Sequence, residues 1–122
     1  MDWPQIKELS DNDLVEIGNH SHSHEYLVEE KPDFIREDIL KSMKIFKEKL
    51  GKNSKFFSYP FGEYSLEFKK IIKELGFVYA FGQHSGVIDE SKDFYELPRF
   101  PINEKYGEIK RFKTLVKTLP FK

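Results

Sequence analysis

The sequence predicts an α/β protein with a parallel sheet, because short apolar strands alternate with amphipathic helices along the chain. Both clear helix patterns end at a glycine and lead into a strand pattern rich in aromatic residues. Polar or glycine-rich clusters, HSHSH, SYPFGEYS and GQHSG, follow three of the predicted strands. Ligands bind at the carboxyl ends of the strands in such sheets, so the pattern also predicts where a site would lie.

Composition narrows the class of protein. The 122 residues suit one domain, and 39% hydrophobic with 16% aromatic residues is enough to form a core. Lys plus Arg (20) nearly balances Asp plus Glu (21), and no basic block is present, which argues against a nucleic-acid partner. The absence of cysteine excludes disulfides, a thiolate nucleophile and a Cys-ligated zinc. No apolar run is long enough to span a membrane, and we predict no signal peptide in this chain, which leaves the compartment open.

The first half of the chain predicts a helix, a strand and a longer helix. Trp3-Pro4 begins a short helix, and residues 14–17 have a strand pattern that Gly18-Asn19 ends. The longer helix begins at Pro32 and ends at Gly51. Its apolar residues recur at three- and four-residue steps and form one stripe: Ile35, Ile39, Met43, Phe46 and Leu50.

The second half repeats the alternation. Residues 56–59 predict an aromatic strand, and Ser65 is placed to cap a second amphipathic helix that Gly76 ends. Residues 77–81 predict a third strand, and residues 95–97 a fourth short strand. We expect a last helix from about residue 107, with these apolar residues facing inward: Ile109, Phe112, Leu115, Val116 and Leu119.

Three of the four histidines, His20, His22 and His24, follow the first predicted strand within five positions. In a helical turn, His20 and His24 would share one face, whereas in an extended segment all three rings would point the same way. Either geometry is compatible with a zinc site, which needs a further protein ligand and an open position to be catalytic. A solvated loop rich in histidine is the alternative, and spacing alone does not separate the two.

Two other residues at predicted strand ends are candidates. His84 stands alone in GQHSG, where a lone histidine is more often a hydrogen-bonding residue than a catalytic one. Arg99 lies between two prolines in LPRFP and has the fork that binds a carboxylate, although a surface ion pair is the simpler interpretation. The turn Pro60-Phe61-Gly62 has backbone amides suited to an oxyanion, or is an ordinary strand-to-helix turn. No G-x-S-x-G pattern occurs, which disfavours a serine hydrolase.

These segments resemble a known family. EIGNHSHSHEYL resembles the second motif of the polysaccharide deacetylase family, the NodB-homology domains of carbohydrate esterase family 4. FSYPFGEYS resembles the third motif. ELGFVYAFGQHSG and YELPRFPINEKYG resemble later segments, especially of the branch that acts on polymers of the poly-N-acetylglucosamine type. The resemblance runs in order over nearly the whole chain.

The resemblance implies a partial, distorted (β/α) barrel in which residues 1–122 form a single, incomplete domain. It implies hydrolysis of N-acetyl or O-acetyl groups from an acetylated polysaccharide, with one divalent metal, usually zinc. His20 and His24 would be the metal ligands, and the Phe61 N–H would donate to the oxyanion. Tyr59, Pro60 and Gly62 would shape the substrate wall beside that N–H, and from its position in LPRFP we also expect Arg99 in this wall.

The chain also departs from the family pattern. The first motif, an Asp-Asp pair that supplies the third metal ligand and the general base, is absent, so we expect an N-terminally truncated domain with weakened metal binding and activity. The late histidine that acts as general acid is absent too, and His84 is the one histidine left to replace it. A sheet without its first strand has an unpaired edge, which invites association with another chain. Two alternatives stay open: a degenerate domain that binds glycan or a partner without turnover, and a histidine-rich metal-binding protein of unrelated fold.

Overall fold

The computed structural model describes residues 1–118 and confirms an α/β fold with a small parallel sheet. A full barrel is not seen in this part of the chain. Two three-residue strands form the sheet, β1 (Phe56–Ser58) and β2 (Tyr79–Phe81). The helices are α1 (Trp3–Ser10), α2 (Pro32–Leu50), α3 (Leu66–Glu74), α4 (Glu104–Gly107) and α5 (Ile109–Thr118).

The sheet is widened on both sides by single bridges. Strands β1 and β2 pair in parallel, with Phe57 opposite Ala80. Asn19 lies beside Phe57 on one side, and Leu97 lies beside Phe81 on the other. The Asn19 N–H donates to the Phe56 carbonyl at 2.9 Å, so the histidine segment begins directly at the edge of the sheet.

The predicted strands at residues 14–17 and 95–97 are therefore wrong in extent. Asn12 turns the first segment, because its carbonyl accepts from the Val15 N–H at 3.0 Å and its side chain accepts from the Leu14 N–H at 2.8 Å. Asp93 bends the backbone at the start of the segment 95–97, because its side chain accepts from the Tyr95 N–H at 2.8 Å. Side chains that bond the nearby backbone compete with a strand ladder.

The helices begin and end at residues that form short-range capping hydrogen bonds. Gly51 ends α2 in the left-handed conformation (φ 76°), with its N–H bonded to the Lys47 carbonyl at 2.9 Å. Ser65 caps α3 by accepting from the Phe68 N–H at 3.1 Å. These signals are local, and the sequence predicts both helices well for that reason.

The core lies between the sheet and the inner faces of α2 and α3. Its most buried members are mainly aromatic and β-branched: Leu27, Ile35, Ile39, Phe57, Tyr59, Phe68, Ile71, Ile72, Phe77 and Ala80. The last helix contributes none of them, and the prediction that its apolar residues face inward is wrong for Ile109, Phe112 and Val116, which are 68%, 42% and 49% exposed. Leu119 lies outside the described residues. No helix within residues 1–118 is both long and apolar enough to span a membrane.

Candidate active site

Four segments at the carboxyl side of the sheet surround one open cavity of about 560 Å³, and one of them contains Arg99, which follows the Leu97 bridge. The histidine segment follows the Asn19 bridge, the Tyr59–Gly62 segment follows β1, and Gln83 follows β2. The cavity is lined by His20, His24, Ser58, Tyr59, Phe61, Gln83 and Arg99. The sheet thus brings together residues from the predicted strand ends, as expected for parallel strands.

The histidine segment is neither a helical turn nor an extended strand. Ser21 and His24 both adopt left-handed conformations, with φ of 70° and 57°. The Ser21 hydroxyl accepts from the His24 N–H at 3.0 Å, and the Asn19 side chain accepts from the Ser21 N–H at 3.0 Å. The loop that results brings the rings of His20 and His24 to 4.9 Å between centroids, while His22 does not line the cavity.

A third polar residue from α2 holds this loop. The buried Asp38 carboxylate accepts from the His22 N–H at 3.0 Å and from the Ser23 N–H at 3.1 Å. Asp38 was not among the site residues predicted from the sequence. A signal was present, because this acidic residue lies on the buried side of α2 beside Ile35 and Ile39, where a charge is costly unless it is paired.

The ring of His20 is oriented by a backbone carbonyl. Its Nδ1 lies 2.6 Å from the Ser58 carbonyl oxygen, and a carbonyl only accepts, so Nδ1 carries the proton in this contact. The lone pair of neutral His20 is then on Nε2. This arrangement is typical of metal-binding histidines, whose second ring nitrogen donates to a carbonyl or carboxylate.

The donor set around the cavity fits a metal ion in part. Two neighbouring imidazoles suit zinc and similar ions. Within residues 1–118, however, no group of three His, Asp or Glu side chains is placed to bind one ion. His20 and His24 thus offer two neighbouring imidazoles, and no third His, Asp or Glu side chain of residues 1–118 is placed with them to hold one ion.

The wall of the cavity next to His24 is formed by the Tyr59–Gly62 segment. Phe61 is left-handed (φ 60°, ψ 8°), and its ring lies 4.8 Å from that of His24 and 5.9 Å from that of Tyr26. The Gly62 N–H donates to the Tyr59 carbonyl at 2.9 Å, whereas the Phe61 N–H has no acceptor in residues 1–118. This segment therefore presents a backbone donor and an exposed aromatic ring beside the histidines.

Tyr59 anchors the wall to the core. The residue is fully buried, and its hydroxyl donates to the Tyr95 carbonyl at 2.7 Å. Burial, reinforced by the charge of Asp93, raises the pKa of Tyr59 far above its ordinary value. Tyr59 is therefore a neutral hydrogen-bond donor at any physiological pH.

The other two candidate residues, Arg99 and His84, differ in whether they line the cavity. Arg99 lines the cavity, and its Nε donates to the Gly82 carbonyl at 2.7 Å, which fixes the guanidinium next to the end of β2. His84 does not line the cavity. Its ring lies 6.5 Å from that of Tyr64, and its carbonyl accepts from the Arg99 N–H at 2.9 Å.

A sequence model of the polysaccharide deacetylase family matches residues 1–80. The chain therefore belongs to the polysaccharide deacetylase family, whose members are hydrolases. No curated protein sequence matched the chain.

Several solved structures share the fold. The deacetylase PplD of Streptococcus pyogenes, in complex with acetate, is 19% identical with a TM-score of 0.85 and covers 98% of this chain. IcaB from Ammonifex degensii is 21% identical with a TM-score of 0.79 over 93% of the chain. The polysaccharide deacetylase BC0361 of Bacillus cereus is 18% identical with a TM-score of 0.80 over 93%. The chain spans 50%, 52% and 36% of these three structures, respectively.

Proposed function

We propose that this chain is part of a metal-dependent hydrolase that removes N-acetyl or O-acetyl groups from a polysaccharide of the poly-N-acetylglucosamine type. The observation that carries the proposal is the convergence of His20, His24 and Phe61 on one cavity. Family membership and the shared fold agree with it. We infer that the sheet seen in residues 1–118 is part of a distorted (β/α) barrel.

We assign the ion to His20 and His24, and zinc is the ion we expect. The chemistry it supplies when bound is polarisation of the acetyl carbonyl and activation of a water molecule as nucleophile. The bond from the His20 Nδ1 to the Ser58 carbonyl leaves Nε2 as the ligand atom and keeps the ring in one orientation. The third ligand and the general base are carboxylates that we expect from outside the described residues.

The wall segment binds and orients the substrate. In this proposal the Phe61 N–H donates to the oxygen on which negative charge develops as the acetyl carbonyl is attacked. Tyr59, Pro60 and Gly62 hold that N–H in place. The exposed rings of Tyr26 and Phe61 form an apolar rim that suits the C–H faces of a pyranose, and Arg99 adds a cation to the lining of the cavity.

We expect the chain alone to be impaired. Two imidazoles without a carboxylate bind zinc less tightly than a complete site, and a missing base costs about a hundred-fold or more in rate. The lack of a third ligand within residues 1–118 also favours a second candidate, a domain that binds acetylated glycan or a partner without turnover. His84 is assigned no role as general acid, because it does not line the cavity.

Zinc binding by calorimetry tests the proposal. We expect micromolar or weaker binding that both His20→Ala and His24→Ala abolish. His84→Ala is the matched control, because it removes an imidazole that lies outside the cavity. Binding that survives both substitutions would refute the assignment of the site.

Acetate release from N-acetylglucosamine oligomers separates the two candidates. Zinc-dependent release that His20→Ala removes supports the hydrolase. Oligomer binding without any release, in the presence of zinc, supports the binding domain.

A further inference from the structure

Asp38 is an acidic residue in a buried position on α2. Its residue is 7% exposed, and no Lys, Arg or His side chain in the described part of the chain forms an ion pair with it. The carboxylate is balanced by two backbone amides instead, with Oδ2 accepting from the His22 N–H and Oδ1 from the Ser23 N–H. A buried carboxylate is costly unless such donors compensate it, so the pairing constrains both partners strongly.

The two amides belong to the residues between the candidate ligands. His20 and His24 flank a loop in which Ser21 and His24 are left-handed, a conformation that non-glycine residues keep only when their surroundings impose it. The bonds from Asn19 and Ser21 act within the loop itself. Asp38 is different, because it ties the middle of the loop to α2.

Helix α2, to which Asp38 attaches the loop, is held in place by the core. Ile35 and Ile39, on either side of Asp38 in α2, are 1% and 0% exposed and belong to the core. A loop tied to such a helix cannot change its shape without breaking two charge-assisted hydrogen bonds.

We propose that Asp38 is a positioning residue that sets the relative placement of the His20 and His24 rings. The inference rests on the proposed function for its metal readout, but the ordering of the loop is independent of any metal. Asp38 does not touch the cavity and acts only through the amides of His22 and Ser23.

The experiment compares Asp38→Asn with Glu37→Gln. Asn has the shape of Asp but offers one acceptor and sets an N–H group against the other amide, so it removes a bond without opening a cavity. Glu37→Gln makes the same chemical change one residue away on α2, at an exposed side chain. We expect zinc affinity to fall about 10- to 100-fold in Asp38→Asn and less than about two-fold in Glu37→Gln. Both are measured by calorimetry on protein that circular dichroism shows to be folded.

Amide hydrogen exchange on metal-free protein gives the second readout. His22 and Ser23 are exposed residues, yet their amides should exchange about ten-fold or more slowly than in an unstructured chain, and Asp38→Asn should remove that protection. A folded Asp38→Asn variant with unchanged zinc affinity and unchanged exchange overturns the inference.

Amide exchange of the unmutated protein also tests the inference if Asp38→Asn does not fold or if the chain binds no zinc. Fast exchange of both amides in the unmutated protein overturns the inference even if Asp38→Asn fails to fold. If the unmutated chain binds no zinc but its two amides are protected by Asp38, then the loop is positioned as we infer and the proposed metal site is what fails.

Discussion

Replacing Gly62 by alanine tests the packing of the wall segment. Gly62 is left-handed (φ 68°), and an added β-carbon would lie 2.4 Å from the Gln83 Cβ and 3.1 Å from the Gln83 backbone nitrogen. Those are the least mobile atoms of Gln83, so the backbone must shift to accommodate alanine. We expect a cost of about 1–2 kcal/mol for the left-handed conformation and about 1–3 kcal/mol for the overlap.

Gly51→Ala is a matched control for that prediction. Gly51 is also left-handed (φ 76°), but a β-carbon there would meet nothing within 4 Å. Both variants carry the same conformational cost and the same gain from a stiffer unfolded chain, so the difference between them isolates the overlap. Urea unfolding followed by circular dichroism should show Gly62→Ala less stable than Gly51→Ala by about 1–3 kcal/mol. Equal destabilisation would refute the reasoning.

Three further predictions follow from contacts around the site. Tyr59→Phe removes the bond to the Tyr95 carbonyl and should lower the free energy of unfolding by about 1 kcal/mol, measured in urea; an unchanged value would show that the hydroxyl contributes nothing. The hydrogen bond from Lys69 lowers the pKa of Asp93, so this pair stabilises the fold at neutral pH, and its contribution is lost as the pH falls below about 4. Lys69→Met should therefore reduce the free energy of unfolding at pH 7 and flatten its dependence on acid pH. An unchanged pH profile of stability would contradict the pairing. Tyr26→Ala should weaken calorimetric binding of an N-acetylglucosamine oligomer about three- to ten-fold, whereas equal affinity would remove Tyr26 from the rim.

The helices could be predicted from the sequence because their signals are local. The stripe of α2, its stop at Gly51 and the Ser65 cap each depend on residues within a few positions. The outer strands could not be predicted in the same way. Asn12 and Asp93 bend the backbone next to those segments, and only one residue on each side, Asn19 and Leu97, reaches the sheet.

The candidate site was predictable in its members but not in its shape. The spacing of His20 and His24 and their place after a strand indicated that they belong together, and the resemblance added the Tyr59–Gly62 wall. The conformation between the two histidines depends on Asp38, which lies 16 positions from His22 in the chain. No local sequence pattern indicates a hydrogen bond between residues so far apart. The position of His84 outside the cavity was equally unpredictable, because it depends on the path that the backbone takes after β2.

The arrangement of the sheet has a consequence for the order of folding. Asn19 reaches β1 only across α2, β1 reaches β2 only across α3, and Phe81 reaches Leu97 only across a long loop. Contacts between segments so distant in sequence form slowly, because chain entropy is lost before the pairing is gained. The cavity therefore assembles after the helices, and ligand binding should recover later than helical circular dichroism during refolding.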